Sequence, residues 1–301
     1  MSAACHEQVI GFVRTYALIA ALVLPGIGAH TLPAPNPVAG YVAELSGHWY
    51  IAGHANAPLR VGAYVRGGDV VRGEPSPDAT GVIGIVLRTG VVLSAAYGAQ
   101  TPGSVAVKRD SLIVPRDAAP RSWFTRAIDG VMKQLRLQEP GEFVSLVSRG
   151  MALDDAVVPL RAGRLDLRST LAPLDSATYR VCLTRVMIGD GASTDPEAED
   201  RCDAEIAYDW HPHRPGSVPA AGLRPGLYMM RTEVEGESVN AWVLVSDSHD
   251  YPRRSVAYAR MVRASRAWQA TLSADARRQI LRAYLAELMI EKPASPASGT
   301  L

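Results

Sequence analysis

Short runs of β-branched and aliphatic residues, separated by glycines, fill the first third of the chain. The candidate strands lie at 38–45, 49–52, 61–65, 69–72, 82–88, 91–95 and 104–108. The sequence Arg88-Thr89-Gly90-Val91 indicates a hairpin turn between two of them. Several short strands with glycine turns are typical of small barrels and sandwiches. The pattern therefore predicts a β domain over residues 38–115.

The next segment changes from strand to helical periodicity. Its apolar residues recur on one face: Trp123, Phe124, Ala127, Ile128, Val131, Met132 and Leu135. Such a face packs against a membrane, against a partner or, most often, against its own protein. We interpret residues 121–137 as a linker helix.

A second β domain is predicted over residues 142–250. Its candidate strands lie at 165–168, 179–183, 205–210, 227–234 and 239–246. Tyr228 follows a Pro-Gly turn at the start of one strand, the position where an aromatic residue pins a corner in immunoglobulin-like sandwiches. We therefore expect an immunoglobulin-like β-sandwich. The overall fold class is mainly β.

The C-terminal segment, residues 252–291, is predicted to be helical. Helical periodicity covers 255–268 and 275–290, and Ser273 precedes the second stretch as an N-cap candidate. The segment adds two helices to an otherwise β-rich chain.

The N-terminus is typical of an exported protein. Arg14 precedes an apolar run at 17–24, which ends at Pro25-Gly26. A positive flank, a short apolar run and small residues indicate a secretory signal peptide within residues 1–30. The alternatives are a membrane anchor that is not cleaved and a buried helix of a cytosolic domain. Either export interpretation places the rest of the chain in the periplasm or another extracytoplasmic compartment.

Two cysteines fit an exported protein. Cys182 and Cys202 flank a polar stretch, and a hairpin centred near Ala192 would bring their sulfurs opposite each other. A disulfide closing such a loop would stabilise the fold by about 3 kcal/mol in the loop-entropy model. Two buried free thiols are the alternative.

Residues 40–107 resemble the FecR-like domain of bacterial cell-envelope proteins. The matching sequences are Gly40-Tyr41-Val42, Leu59-Arg60-Val61-Gly62, Gly68-Asp69-Val70-Val71-Arg72 and Thr89-Gly90-Val91-Val92-Leu93. Thr89 departs from the family, which has an aspartate before this glycine. The resemblance implies a small non-enzymatic β-barrel or sandwich, used in the envelope for contact or signal relay. Cytoplasmic control of a sigma factor is not implied, because only a short stretch precedes the apolar run.

A metal site is the main catalytic alternative. Asp209, His211 and His213 alternate in sequence, so they would share one face of a strand and could hold a metal for an exported metal-dependent hydrolase. Pro212 argues against a continuous strand. Exposed loop histidines are the simpler interpretation. The sequence therefore predicts no catalytic, cofactor-binding or metal-binding residue.

Aromatic residues of the first β domain are the candidate ligand contacts. Trp49, Tyr50 and Tyr64 could stack on a sugar or a peptide, or they could fill the core. The net charge of +1 gives the chain no broad positive field that would attract nucleic acid. We therefore expect a non-catalytic envelope protein, an accessory, scaffold or sensor, that contacts an envelope protein or cell-wall partner. It would meet the membrane only through an uncleaved N-terminal segment.

The compartment can be tested directly. Residues 1–40, fused to a reporter that is active only outside the cytoplasm, should give activity, because this segment carries the export signal. A reporter that works only in the cytoplasm is the matched control and should stay silent. Activity of the cytoplasmic reporter instead would contradict export.

Overall fold

The computed structural model describes residues 36–53, 58–74, 80–98, 110–116, 122–137, 153–186, 202–213 and 217–290. The predicted leader and the strand candidate at 104–108 lie outside these ranges. Within them, strands outnumber helices, as the mainly β prediction requires. The described strands and helices belong to one compact unit, residues 37–301.

The described residues form fourteen strands and four helices. The strands of the first β region are β1 (Val38–Ser46), β2 (Trp49–Ile51), β3 (Tyr64–Arg66), β4 (Val70–Gly73), β5 (Gly81–Leu87), β6 (Val92–Tyr97) and β7 (Ser111–Ile113). Those of the second are β8 (Ala156–Arg161), β9 (Arg164–Leu165), β10 (Ala177–Arg185), β11 (Ala204–Trp210), β12 (Val218–Pro219), β13 (Gly226–Val234) and β14 (Glu237–Asp247). The helices are α1 (Ser122–Leu137), α2 (Arg168–Leu171), α3 (Tyr251–Arg266) and α4 (Ala274–Ile290).

The first β region consists of two sheets. A four-stranded sheet has the order β3-β1-β5-β6, and a three-stranded sheet has the order β2-β4-β7. All of their pairings are antiparallel. The predicted turn at 88–91 joins β5 to β6. Both sheets contribute side chains to one core, so they pack face to face.

Strand β5 is buried on both faces. Ile83, Ile85 and Leu87 point into the core between the two sheets, whereas Val86 belongs to the core that the helices build. A strand covered on both sides needs a continuous apolar run rather than an alternating one. The sequence Gly-Val-Ile-Gly-Ile-Val-Leu of β5 satisfies this requirement.

The second β region differs from the expected sandwich. Its seven strands form one hydrogen-bonded sheet, in the order β11-β10-β13-β14-β8-β9-β12, rather than two separate facing sheets. Only β14 and β8 run parallel. The edge strands β11 and β12 contact each other, so the sheet nearly closes into a barrel. Its inner side chains form a core of their own.

The predicted strand at 165–168 is wrong. Strand β9 ends at Leu165, and the chain turns into the short helix α2. Leu165, Leu167 and Leu171 are all fully buried in the barrel core. The backbone N–H of Leu167 donates to the Tyr208 hydroxyl over 3.2 Å. The alternating leucines therefore mark the end of β9 and the entry into α2, because burial on one side can have period two without a continuous strand.

Tyr228 pins the corner at the start of β13. Its hydroxyl donates to the carbonyl oxygen of Arg224 over 2.9 Å, and its ring is buried. The sequence prediction for this residue is confirmed. The hairpin that follows, β13 and β14, also has the predicted turn around Glu235-Gly236.

The disulfide between Cys182 and Cys202 lies at the end of the β10–β11 ladder. The two Cα atoms are 5.4 Å apart, within the usual range for such a bond. The two strands are antiparallel, as expected. Cys182 pairs with Glu205 in the ladder, so the cysteines are not directly opposite each other. The register differs because the pairing follows the buried face of β11, Ile206, Tyr208 and Trp210.

Helix α4 is the centre of the largest core cluster. That cluster takes side chains from β1 and β5, from α1 and α3, and from β13 and β14. The apolar face predicted at 121–137 thus packs on its own chain. Ser273 caps α4 as predicted, since its hydroxyl oxygen accepts the N–H of Ala276 over 3.1 Å.

Two glycines allow the C-terminal region to approach closely. A Cβ on Gly84 of β5 would lie 2.3 Å from a methyl carbon of Leu272, and one on Gly130 of α1 would lie 2.6 Å from the carboxyl carbon of Glu287. Hydrogen bonds reinforce these contacts. The indole N–H of Trp268 donates to the carbonyl oxygen of Gly90 over 3.0 Å. The amide of Gln134 donates to Glu287 over 3.0 Å.

A buried ion pair joins α4 to the second β region. The Arg282 side chain is 2% exposed, that of Asp155 is 7% exposed, and Arg282 Nε donates to Asp155 Oδ2 over 3.1 Å. The other carboxylate oxygen accepts the backbone N–H of Trp242 over 2.6 Å. The guanidinium of Arg282 also lies 5.5 Å from the Trp242 ring centroid. Charges this deeply buried persist only when they are paired and hydrogen-bonded.

Breaking this pair should destabilise the fold. Arg282→Met should lower the unfolding free energy by about 3–5 kcal/mol, because the Asp155 carboxylate would be left buried without its cation. Chemical denaturation measures the effect. The double variant Asp155→Asn/Arg282→Met removes both charges, keeps an acceptor for the Trp242 N–H and should recover most of the loss. A double variant no more stable than the single one would show that the pair is not what Arg282 contributes.

Candidate functional site

The predicted aromatic contacts do not share one surface. Trp49 is 1% exposed and belongs to the core of the first β region, where its indole N–H donates to the carbonyl oxygen of Ser46. Tyr50 is half-buried on the same strand. Tyr64 is 46% exposed on another sheet, and the guanidiniums of Arg66 and Arg136 lie 5.5 and 5.2 Å from its ring centroid. Trp49 is therefore a core residue, as the alternative interpretation proposed.

The three candidate metal ligands near the end of β11 are not brought together. Nε2 of His211 lies 3.2 Å from Oδ1 of Asp209. Strand β11 ends at Trp210, so strand alternation does not carry His213 to the same face. Within the described ranges, one group of three metal-binding side chains is close together, and it is Asp247, His249 and Asp250.

The Asp247 group has a structural explanation. One carboxylate oxygen of Asp247 accepts the backbone N–H groups of His249 and Asp250, at 3.0 and 2.9 Å. The Asp250 carboxylate lies 3.3 Å from Arg254, one helical turn further on. These carboxylates hold the turn that leads into α3. The group therefore stabilises a turn.

A concave surface lies between α3, α4 and the start of β8, and we call it the arginine groove. Its volume is about 810 Å³. It is lined by Leu153, Asp154, Asp155, Ala156, Val157, Ser169, Tyr251, Ser255, Tyr258, Ala259, Val262, Arg263, Arg266, Ala274, Arg277, Arg278 and Leu281. Helix periodicity explains this lining, because α3 contributes residues spaced by three or four positions.

Four arginines surround the arginine groove. Arg263 and Arg266 are exposed on the last turns of α3, and Arg277 and Arg278 are half-buried on the first turns of α4. The Nε atom of Arg277 is buried and has no acceptor among the described residues. A guanidinium presents several N–H donors in a plane and stays charged at all physiological pH values. The rim is therefore a fixed positive surface with unused donors.

The floor of the arginine groove is less charged than its residue types indicate. Asp155 forms its ion pair with Arg282, which lies behind the floor. Burial raises the pKa of the Asp155 carboxyl, and the nearby Arg282 opposes this shift. Burial also raises the pKa of the Tyr258 hydroxyl well above its ordinary value, so this hydroxyl stays neutral. The exposed Asp154 adds one carboxylate to the four arginines.

The net charge of the whole chain, +1, does not indicate this local positive surface. Residues 251–282 contain eight arginines, one aspartate, no lysine and no glutamate. Helical periodicity in this segment predicts two helices but no site. A local charge count would have detected the basic region. It could not have shown the groove, because two separate helices and a strand must meet to form it.

A smaller cleft adjoins the arginine groove through Tyr251, which lines both. Its volume is about 270 Å³, and it also contains Arg161, Arg164, Asp166 and Arg168. Asp166 accepts hydrogen bonds from the guanidinium of Arg168. Arg164 donates to the Ser217 hydroxyl over 3.0 Å. Of the three arginines in this cleft, Arg168 is paired with a carboxylate.

The comparisons with known proteins leave the chain without an assigned family. No model of a known protein family matches it, and no curated protein matches it either. Within the described ranges, no helix combines the length and the apolar content that crossing a membrane would require.

The raised pKa of Asp155 predicts a pH-dependent stability. The Asp155 carboxyl group binds its proton more tightly in the folded protein than in the unfolded chain. Protonation of Asp155 therefore stabilises the fold fully below the ordinary pKa of 3.8, and this stabilisation is lost as the pH rises through the raised pKa. The unfolding free energy of the wild type, relative to Asp155→Asn, should therefore fall between acidic and neutral pH. Chemical denaturation at both pH values measures it.

The neighbouring variant Asp154→Asn is the matched control, because it removes an exposed carboxylate from the adjacent position. If the difference between wild type and Asp155→Asn stayed constant with pH, or had the same slope as for Asp154→Asn, the prediction would fail.

Proposed function

We propose that this protein is a non-catalytic exported protein of the cell envelope, which acts by contact with a partner, and that the arginine groove is its contact surface. The observation that carries the proposal is the groove itself, in which four arginines border a partly apolar floor. Concave surfaces with apolar walls and a few well-placed polar groups are the usual binding sites of proteins.

The chemistry of the arginine groove favours binding over catalysis. Arginine cannot act as a general base, because it stays protonated in proteins. Both carboxylate oxygens of Asp155 already accept hydrogen bonds, from Trp242 and Arg282. The Tyr258 hydroxyl is held neutral by burial. These groups suit the attraction and orientation of an anionic partner better than proton transfer.

Export is supported by the disulfide between Cys182 and Cys202. Disulfides persist in oxidising compartments such as the periplasm and are rare in the cytosol. The apolar run at 17–24 supports the same conclusion. Together they favour a protein that works outside the cytoplasm.

The role in contact is supported by the resemblance of residues 40–107 to the FecR-like domain. The paired sheets of the first β region are compatible with a small barrel or sandwich of that kind. Such a module would serve as an accessory, scaffold or sensor unit. In the second β region, the corner at Tyr228 is a feature shared with immunoglobulin-like domains.

Site-specific photo-crosslinking in native envelopes tests this function. A photoreactive residue in place of Ser255, which lines the arginine groove, should capture a discrete partner. The same residue in place of Val256, which is 66% exposed and outside the groove lining, is the matched control and should capture none. Identical products at both positions, or no product at Ser255, would overturn the groove as contact surface.

A further inference from the structure

We propose that the arginine groove recognises an acidic, amphipathic peptide segment of a partner protein, one that carries both carboxylates and aliphatic side chains. This inference rests on the proposed function and specifies the chemistry of the partner. Three properties of the groove support it: the geometry of its cations, the apolar part of its wall, and an unsatisfied donor.

The cations of the arginine groove suit carboxylates. All four are arginines, and no lysine occurs in residues 251–282. The planar guanidinium can donate two parallel hydrogen bonds to one carboxylate, whereas a lysine ammonium acts as a point charge. Arg263 and Arg266 lie on α3, and Arg277 and Arg278 lie on α4. A ligand between the helices would therefore meet arginines on both sides.

The rest of the wall suits aliphatic side chains. The half-buried Val262 and Leu281 line the arginine groove beside its arginines, and Leu153 and Val157 are buried beneath them. A volume of about 810 Å³ has room for several side chains of a bound segment. A peptide with alternating acidic and aliphatic residues would cover this apolar area and reach the arginines at the same time. A polymer of phosphates would leave the apolar area without a partner.

Arg277 carries a donor that lacks an acceptor among the described residues. Its Nε atom is buried in the wall without an acceptor among the described residues. A buried donor without an acceptor costs free energy, which an incoming acceptor would recover. Asp155 does not compete for this role, because its oxygens are engaged by Trp242 and Arg282. A ligand carboxylate would reach this Nε atom after a rotation of the half-buried Arg277 side chain towards the groove.

Peptide binding to the full chain tests the inference. The probe is a labelled synthetic peptide of glutamate and leucine, measured by fluorescence anisotropy, and the comparison peptide has lysine in place of every glutamate. The glutamate peptide should bind and the lysine peptide should not. In Arg263→Gln/Arg266→Gln, the Kd should rise about tenfold, through the loss of two charge-assisted contacts. Added salt should weaken binding.

The matched control removes the same charge from the same helix. Arg253 and Arg260 are exposed on α3 but do not line the arginine groove. The variant Arg253→Gln/Arg260→Gln should bind the glutamate peptide as the wild type does. An equal loss in both double variants would mean that only the overall charge matters, and it would overturn the inference.

Inorganic polyphosphate is the third probe, and it tests whether the groove binds a phosphate polymer instead of a peptide. Binding as tight as that of the glutamate peptide, with the same loss in Arg263→Gln/Arg266→Gln, would overturn the inference in favour of a phosphate polymer. If the glutamate peptide does not bind, the peptide inference fails. The proposed function would still be decided separately by crosslinking from Ser255.

Discussion

The burial of α4 is the constraint on which the rest of the structure depends. This helix is covered by the first β region, by α1 and α3, and by the barrel. A helix enclosed on so many sides cannot direct all of its polar residues to water, and Arg282 is therefore buried. The ion pair with Asp155 satisfies that charge and ties α4 to the chain just before β8. Packing and electrostatics therefore act on the same contact.

The helices also join the two β regions. The core around α4 includes side chains of β1 and β5 on one side and of β13 and β14 on the other. A Cβ at Gly84 or Gly130 would force the Leu272 or the Glu287 side chain to shift. Trp268 adds a hydrogen bond to the β5–β6 turn. The C-terminal segment is thus a structural centre of the protein, although it comes last in the sequence.

The arginine groove follows from this packing. The buried residues of α3 and α4 are mainly apolar, with Arg254 and Arg282 as charged exceptions. The four groove arginines lie at the margin, where the two helices pass the start of β8. The stability of the floor and the binding chemistry of the rim are therefore separate. The ion pair of Asp155 and Arg282 stabilises the floor of the arginine groove, and the arginines of the rim remain available to bind a partner. Substitution of Arg263 or Arg266 should accordingly affect binding without disturbing the core.

Local patterns in the sequence determined the individual elements, because periodicity, turns and caps depend on near neighbours. The linker helix, the β13–β14 hairpin, the Ser273 cap and the Tyr228 corner were all predictable in this way. Tertiary structure alone decided the rest. It decided that Trp49 is buried, that Leu165 and Leu167 lead from β9 into α2, and that seven strands form one sheet. It also brought Asp155 to Arg282, which are more than a hundred positions apart in the sequence. It assembled the arginine groove from α3, α4 and the start of β8. Local sequence patterns do not specify which distant surfaces will meet.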